Sequence, residues 1–191
     1  MRILPSHFVS DKLPFDQGCS WTLTTRLGMM LQDAEARFGQ RDLSYTFLGI
    51  EFHGEIPHVW YPGNCKHVAI RLGLPALEDA LRVHYQLAHE CIHLLAPSGG
   101  IGAPAIEEGL ATVFAEDYIF REHQVKNYTD LDSYRDAASL VRTLLSTYPT
   151  AIADLRKVEP SFKRMTPTTF ERAGLLLDQA MIHSLLEPFQ Q

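Results

Sequence analysis

Leu87-Ala88-His89-Glu90-Cys91-Ile92-His93-Leu94-Leu95 is the stretch on which the reading of this chain turns. Its only strongly polar side chains are His89, Glu90 and His93. Residues four apart on a helix lie about 40° apart around the axis, so His89 and His93 can present their imidazoles to one point. The apolar remainder predicts a helix buried on most sides, where two histidines and a glutamate need partners. A divalent cation with its water would satisfy all three. His-Glu-x-x-His is the spacing of a zinc site in which the histidines bind the ion and the glutamate serves as general base. Glu90, next to the first ligand, can face the metal's water without taking a coordination position. Cys91 points away from the ion on a regular helix and reads as a small core residue.

Upstream, Pro75 with Glu78 and Asp79 makes a favourable helix start, since proline lacks an N–H that a first turn leaves unused and acids complement the dipole. The zinc helix is therefore expected to run from Pro75 to about Leu95. Before it, residues 43–72 change to short β-prone pieces: Ser44 to His53, His58 to Tyr61 and His67 to Leu72, the last two divided by Pro62-Gly63-Asn64. In the first piece, Tyr45 and Phe47 mark one face and Ile50 and Phe52 the other, so the register slips near Gly49, where a bulge is easiest. Together they predict a small antiparallel sheet. His67 to Leu72 reads equally as an ordinary core strand or as the edge along which an extended peptide adds. Ser20 to Phe38, with Leu23, Leu27, Met30, Leu31 and Ala34 at helical spacing, predicts a backing helix ended by Gly39.

Downstream, the Pro97-Ser98-Gly99-Gly100-Ile101-Gly102 loop breaks the zinc helix and Pro104 opens another through about Phe120. Further helices are expected over 131–148, 151–158 and 168–186. Near the start of the helix behind Pro104 stands Ile106-Glu107-Glu108-Gly109-Leu110-Ala111-Thr112. Fourteen residues separate His93 from Glu108, room for a helix end, a reversing loop and a new helix start. Here the chain resembles the gluzincins, the zincin metallopeptidases whose third zinc ligand is a glutamate on a following helix. Glu108-Gly109-Leu110-Ala111 looks like the Glu-Gly-x-Ala run around that glutamate in the aminopeptidases.

The resemblance spans roughly residues 81–117 and implies zinc held by His89, His93 and Glu108, with Glu90 as the catalytic base. Glu107 is the competing ligand, its plainer role being a solvated carboxylate at a helix start. Asp117 or Thr112 could orient an imidazole. Tyr118, His123, Tyr128, Tyr148 and His183 are all available as donors to a developing oxyanion, though His183 also reads as a hydrogen-bonded core histidine. His53, His58, His67 and His84 read as structural or surface residues. No amine-anchoring motif stands out and the helical tail is too small for the extra domains of the large aminopeptidases, so their specificity is not expected.

Composition narrows the function classes. At 191 residues the expectation is a single domain over 1–191, with 46% hydrophobic and 21% charged residues in the ordinary globular range. A net charge of -6 without any clustering of Lys and Arg argues against nucleic acid as a partner. No secretory leader and no apolar run of roughly 18 residues stands in the sequence, so neither export nor a membrane partner is expected. Cys19, Cys65 and Cys91 fit no disulfide framework, which makes a cytoplasmic setting the default. The reading is an α+β, minimal zincin-like fold: backing helix, small antiparallel sheet, zinc helix, glutamate helix and helical C-terminal cap. Its expected activity is zinc-dependent hydrolysis, of amide bonds in a peptide or protein substrate. The alternative is a non-catalytic zincin-like protein that binds a metal or a partner, for which Glu90 would not be required.

Overall fold

The most apolar of the three strands occupies the middle of the sheet. In the computed structural model, which describes residues 22–63, 66–99 and 102–190, β1 is Thr46–Phe52, β2 His58–Trp60 and β3 His67–Leu72. The order is β1-β3-β2. Val68, Ala69, Ile70 and Leu72 of β3 are buried, whereas β1 and β2 are at most half-buried. Placing the apolar strand centrally removes it from water and gives its backbone hydrogen bonds on both sides. The β2–β3 pair is antiparallel as expected, but β1 runs parallel to β3, which makes the sheet mixed rather than antiparallel. The expectation of a small antiparallel sheet misses this, because nothing local in β1 records which neighbour it will pair with.

The register slip near Gly49 is real. Phe47 faces Val68 and Ile50 faces Ile70, so Leu48 and Gly49 together oppose one residue of β3. Gly49 sits at φ 148, in the region that favours a residue without Cβ.

The helices follow the apolar periodicity with two interruptions. The first, α1 (Leu23–Phe38), is capped by Thr22 and buries Leu23, Leu27, Met30, Ala34 and Phe38. Pro75 opens only a 3-10 turn, Leu74–Glu78, before Asp79 starts a separate helix, α2 (Ala80–His93). Asp79 accepts a hydrogen bond from the Arg82 N–H at 2.9 Å, and an aspartate serving as N-cap cannot itself be helical. After α3 (Ala105–His123), α4 (Asp132–Thr147) and α5 (Ala151–Val158), the expected last helix is two pieces. They are α6 (Pro167–Arg172) and α7 (Gln179–Leu186), with the chain turning at Gly174 and restarting behind Asp178, whose carboxylate accepts from the Met181 N–H at 2.7 Å. The architecture is thus α+β, three strands and seven α-helices among the described residues. None of those helices is long and apolar enough to cross a membrane. Cys91 is buried; Cys19 and Cys65, and the readings at residues 1–21, lie outside the described residues.

One contiguous core joins β3 to α1, α2, α3, α4 and the C-terminal helices. Two features fix how α2 and α3 sit in it. A Cβ on Gly109 would lie 2.3 Å from the Ala137 carbonyl oxygen, so only glycine lets α4 come this close behind Glu108. Buried Arg156 donates to the carbonyls of Phe38, Gly39, Gln40, Leu95 and Pro160, tying the end of α1 to the residue just beyond α2.

Candidate metal centre

Helix α2 carries His89 and His93 on one face, one turn apart, and α3 runs back antiparallel beside it. His93 of the last turn of α2 meets Glu107 at the start of α3, and His84 near the start of α2 meets His123 at the end of α3. The chain reversal expected between His93 and Glu108 is what makes these meetings happen.

Three side chains able to act as metal ligands converge. His89 Nε2 lies 3.2 Å from Glu108 Oε2, and His93 Nε2 lies 3.7 Å from Glu108 Oε1. His89, His93 and Glu108 can offer ligand atoms all within 4.8 Å of one another, the only such group among the described residues. Zinc bonds of about 2.0–2.1 Å in a tetrahedron place neighbouring ligands about 3.3 Å apart, close to the two histidine–Glu108 separations, so these residues could hold a zinc ion once drawn together. Nitrogen and carboxylate donors also suit its chemistry.

Glu107 resolves differently from either role expected of it. It is only 4% exposed, so it is no solvated carboxylate, and its Oε1 accepts from His93 Nδ1 at 2.8 Å, on the opposite side of the imidazole from the ligand nitrogen. Burial works against a charged His93, yet the Glu107 hydrogen bond and the Glu108, Glu107 and Glu90 carboxylates raise it to about 10. A bound cation would compete with that second proton for Nε2.

Glu90 is 3% exposed and lines the same cleft as the ligand set. Burial raises its carboxyl pKa, opposed by His93 and His89 and assisted by Glu108. Glu108, despite burial that would raise it, is held below the ordinary value by the His89 hydrogen bond and by the His93, His89 and Lys163 charges.

The cleft above these residues has a volume of 1210 Å³. It is lined by Pro57 to Tyr61, around β2, by Tyr128 to Leu131 and by Tyr134, among others. Because β3 is the central strand, its edge is not open to a peptide; the outer strand on the cleft side is β2. That corrects the edge reading of His67 to Leu72.

The other candidates separate cleanly. Asp117 pairs with Arg37 at 3.1 Å on the surface, and Thr112 donates to the Glu108 carbonyl at 2.9 Å, so neither orients an imidazole. Of the five oxyanion candidates only Tyr128 lines the cleft. Tyr118 is bonded to Arg26, His123 to His84 at 2.7 Å and Tyr148 to the Leu176 carbonyl at 3.2 Å, while His183 is exposed rather than in the core. His84 is buried in the partnership with His123, whereas His58 is exposed and lines the cleft. Tyr134 and Lys163 are among the cleft residues that the sequence reading did not single out. Tyr134, in the first turn of α4, stands edge-on to the His89 ring with centroids 5.6 Å apart. Lys163, from the 3-10 turn Phe162–Arg164, donates to the Gly99 carbonyl at 2.9 Å. Neither belongs to a motif, and both come to the cleft from elements far along the chain from His89 to Glu108.

No protein-family model, curated protein or solved structure matches this chain. The functional reading therefore rests on the residues and their geometry.

Proposed function

We propose that this protein is a zinc-dependent hydrolase of the gluzincin type that cleaves peptide bonds. The observation that carries the reading is the convergence of His89, His93 and Glu108 from two separate helices, their ligand atoms all within 4.8 Å of one another, with Glu90 buried beside them. In this reading the fold is a minimal zincin: α1 backs a small sheet, α2 and α3 bring the ligands together, and the later helices cap the site.

Zinc, when bound, supplies a Lewis acid that makes water acidic near neutral pH and polarises a carbonyl. The protein's own groups do the rest. His89, His93 and Glu108 would hold the ion, and Glu90 accepts a proton from the attacking water and passes it to the departing amine. A raised carboxyl pKa suits a group that must both take and return a proton. Tyr128 and Tyr134 are cleft-lining tyrosines from which a donor to the carbonyl oxygen can come. The outer edge of β2 offers backbone groups to an extended peptide.

The test is a broad peptide-library digest, read by mass spectrometry, with zinc-loaded wild type and Glu90→Gln. The expected result is cleavage by wild type and its loss in Glu90→Gln with zinc retained. Zinc retained but no cleavage by either protein would turn the reading to a metal-binding protein without hydrolytic activity. Absence of about one zinc per chain from wild type, or its persistence in His89→Ala, would remove the metal site itself.

A further inference from the structure

Glu107 and Glu108 are adjacent in sequence, chemically identical, and both in contact with histidines of the zinc helix. The two contacts differ in kind. Glu108 faces Nε2 of His89 and Nε2 of His93, the nitrogens that converge on one point. Glu107 bonds His93 through Nδ1 at 2.8 Å, on the far side of the ring. A cation bound by both Nε2 atoms and Glu108 therefore leaves the Glu107–Nδ1 bond intact.

We propose that Glu107 is a positioning residue of the metal centre: it locks His93 in the tautomer and ring orientation that aim Nε2 at the ion and strengthens that nitrogen as a donor. The proposal rests on the metal-site part of the reading above and not on hydrolysis. Two considerations support it. An imidazole that donates Nδ1–H to a carboxylate keeps its lone pair on Nε2, which fixes the tautomer a zinc ligand requires. Glu107 is buried within the wall formed by α2 and α3, so it acts as a fixed acceptor and not as a solvent-facing charge. A further consequence follows from the two carboxylates standing side by side. Consecutive helical residues point about 100° apart, so a single helix start can serve the ion from one residue and the back of its ligand from the next.

The experiment uses the full chain. Zinc affinity is measured by competition with a chelating dye for wild type, Glu107→Gln, Glu107→Leu and Glu108→Gln. Visible spectra of the cobalt-substituted proteins are recorded in parallel, and circular dichroism of each metal-free protein checks the fold. Glutamine keeps an acceptor for Nδ1–H but loses the charge; leucine loses both. The expected result is graded weakening, roughly 10-fold for Glu107→Gln and towards 100-fold for Glu107→Leu, the range of partners behind ligand histidines. Cobalt absorption should shift in both, and Glu108→Gln should lose binding most severely. Folded Glu107 variants with wild-type affinity and unchanged cobalt spectra would overturn the proposal while leaving the metal site standing. So would a Glu107→Gln protein that loses zinc altogether while Glu108→Gln keeps it, since the roles would then be reversed. A wild type that binds no zinc would overturn both.

Discussion

Replacing His84 by glutamine should remove a large part of the protein's sensitivity to acid. His84 is 7% exposed and its Nδ1 lies 2.7 Å from His123 Nε2, one ring donating to the other. Burial, the Arg26 guanidinium and His123 together push its pKa from 6.5 down to about 3. The folded protein thus keeps His84 neutral where the unfolded chain takes up a proton. Stability from this group is complete above pH 6.5 and is lost as pH falls through the window between 6.5 and about 3. One pH unit inside that window corresponds to about 1.4 kcal/mol, so acidifying from about pH 7.5 to about pH 5 should remove about 2 kcal/mol. His123 shifts in the same direction, mainly by burial and then by the Arg26 charge, and adds to the effect. His93 acts in the opposite sense. Its raised pKa contributes stability that is present below 6.5 and lost as pH rises towards about 10, and the raised Glu90 carboxyl likewise favours the fold at acid pH. Both terms are common to wild type and variant and cancel in the comparison. The assay is urea unfolding of the metal-free full chain at the two pH values, for wild type and His84→Gln, whose amide can still bond His123. Wild type should lose about 2 kcal/mol more than the variant on acidification. Equal losses would show that His84 is not held neutral by the fold and would refute the argument.

Saturating zinc should raise the thermal midpoint reversibly, by an amount corresponding to about 2.7 kcal/mol at 100 times the dissociation constant, and His93→Ala should abolish the rise in differential scanning fluorimetry. Gly109→Ala should destabilise the chain by about 1–3 kcal/mol in urea unfolding, because the new methyl must displace the Ala137 carbonyl, and should weaken zinc binding through the displaced Glu108. In steady-state peptide cleavage, Glu90→Gln should lower kcat by roughly 10²- to 10⁴-fold with zinc content unchanged. Tyr134→Phe should lower kcat by up to about 10²-fold with little change in KM, as expected of a donor used mainly in the transition state.

Much of the site was legible because its geometry is local. His89 and His93 meet through one helical turn, and Glu90 takes its place from the same turn, so periodicity alone puts the three together. Glu108 required a reversal of the chain, which the glycine-rich loop after Pro97 signals without fixing its direction. The slip at Gly49 was readable because a bulge leaves its mark in the alternation of Tyr45, Phe47, Ile50 and Phe52. The breaks at Asp79 and Gly174 were less so, since an acid near a helix start and a glycine within an apolar run are each compatible with a continuing helix until the caps are seen.

Other features belong to the folded chain alone. The parallel pairing of β1 with β3 depends on which strand takes the buried middle of the sheet, a choice settled by the burial of Val68, Ile70 and Leu72 together and not by any strand separately. Tyr134 and Lys163 enter the cleft from elements far along the chain, with no spacing to announce them. The division between Glu107 and Glu108 is of the same kind. Neighbouring glutamates have the same chemistry and propensity, so sequence could place a carboxylate opposite His89 and His93 but not say which face of an imidazole each would meet. That was decided by the way α3 faces α2, with α4 in close approach to α3 at Gly109.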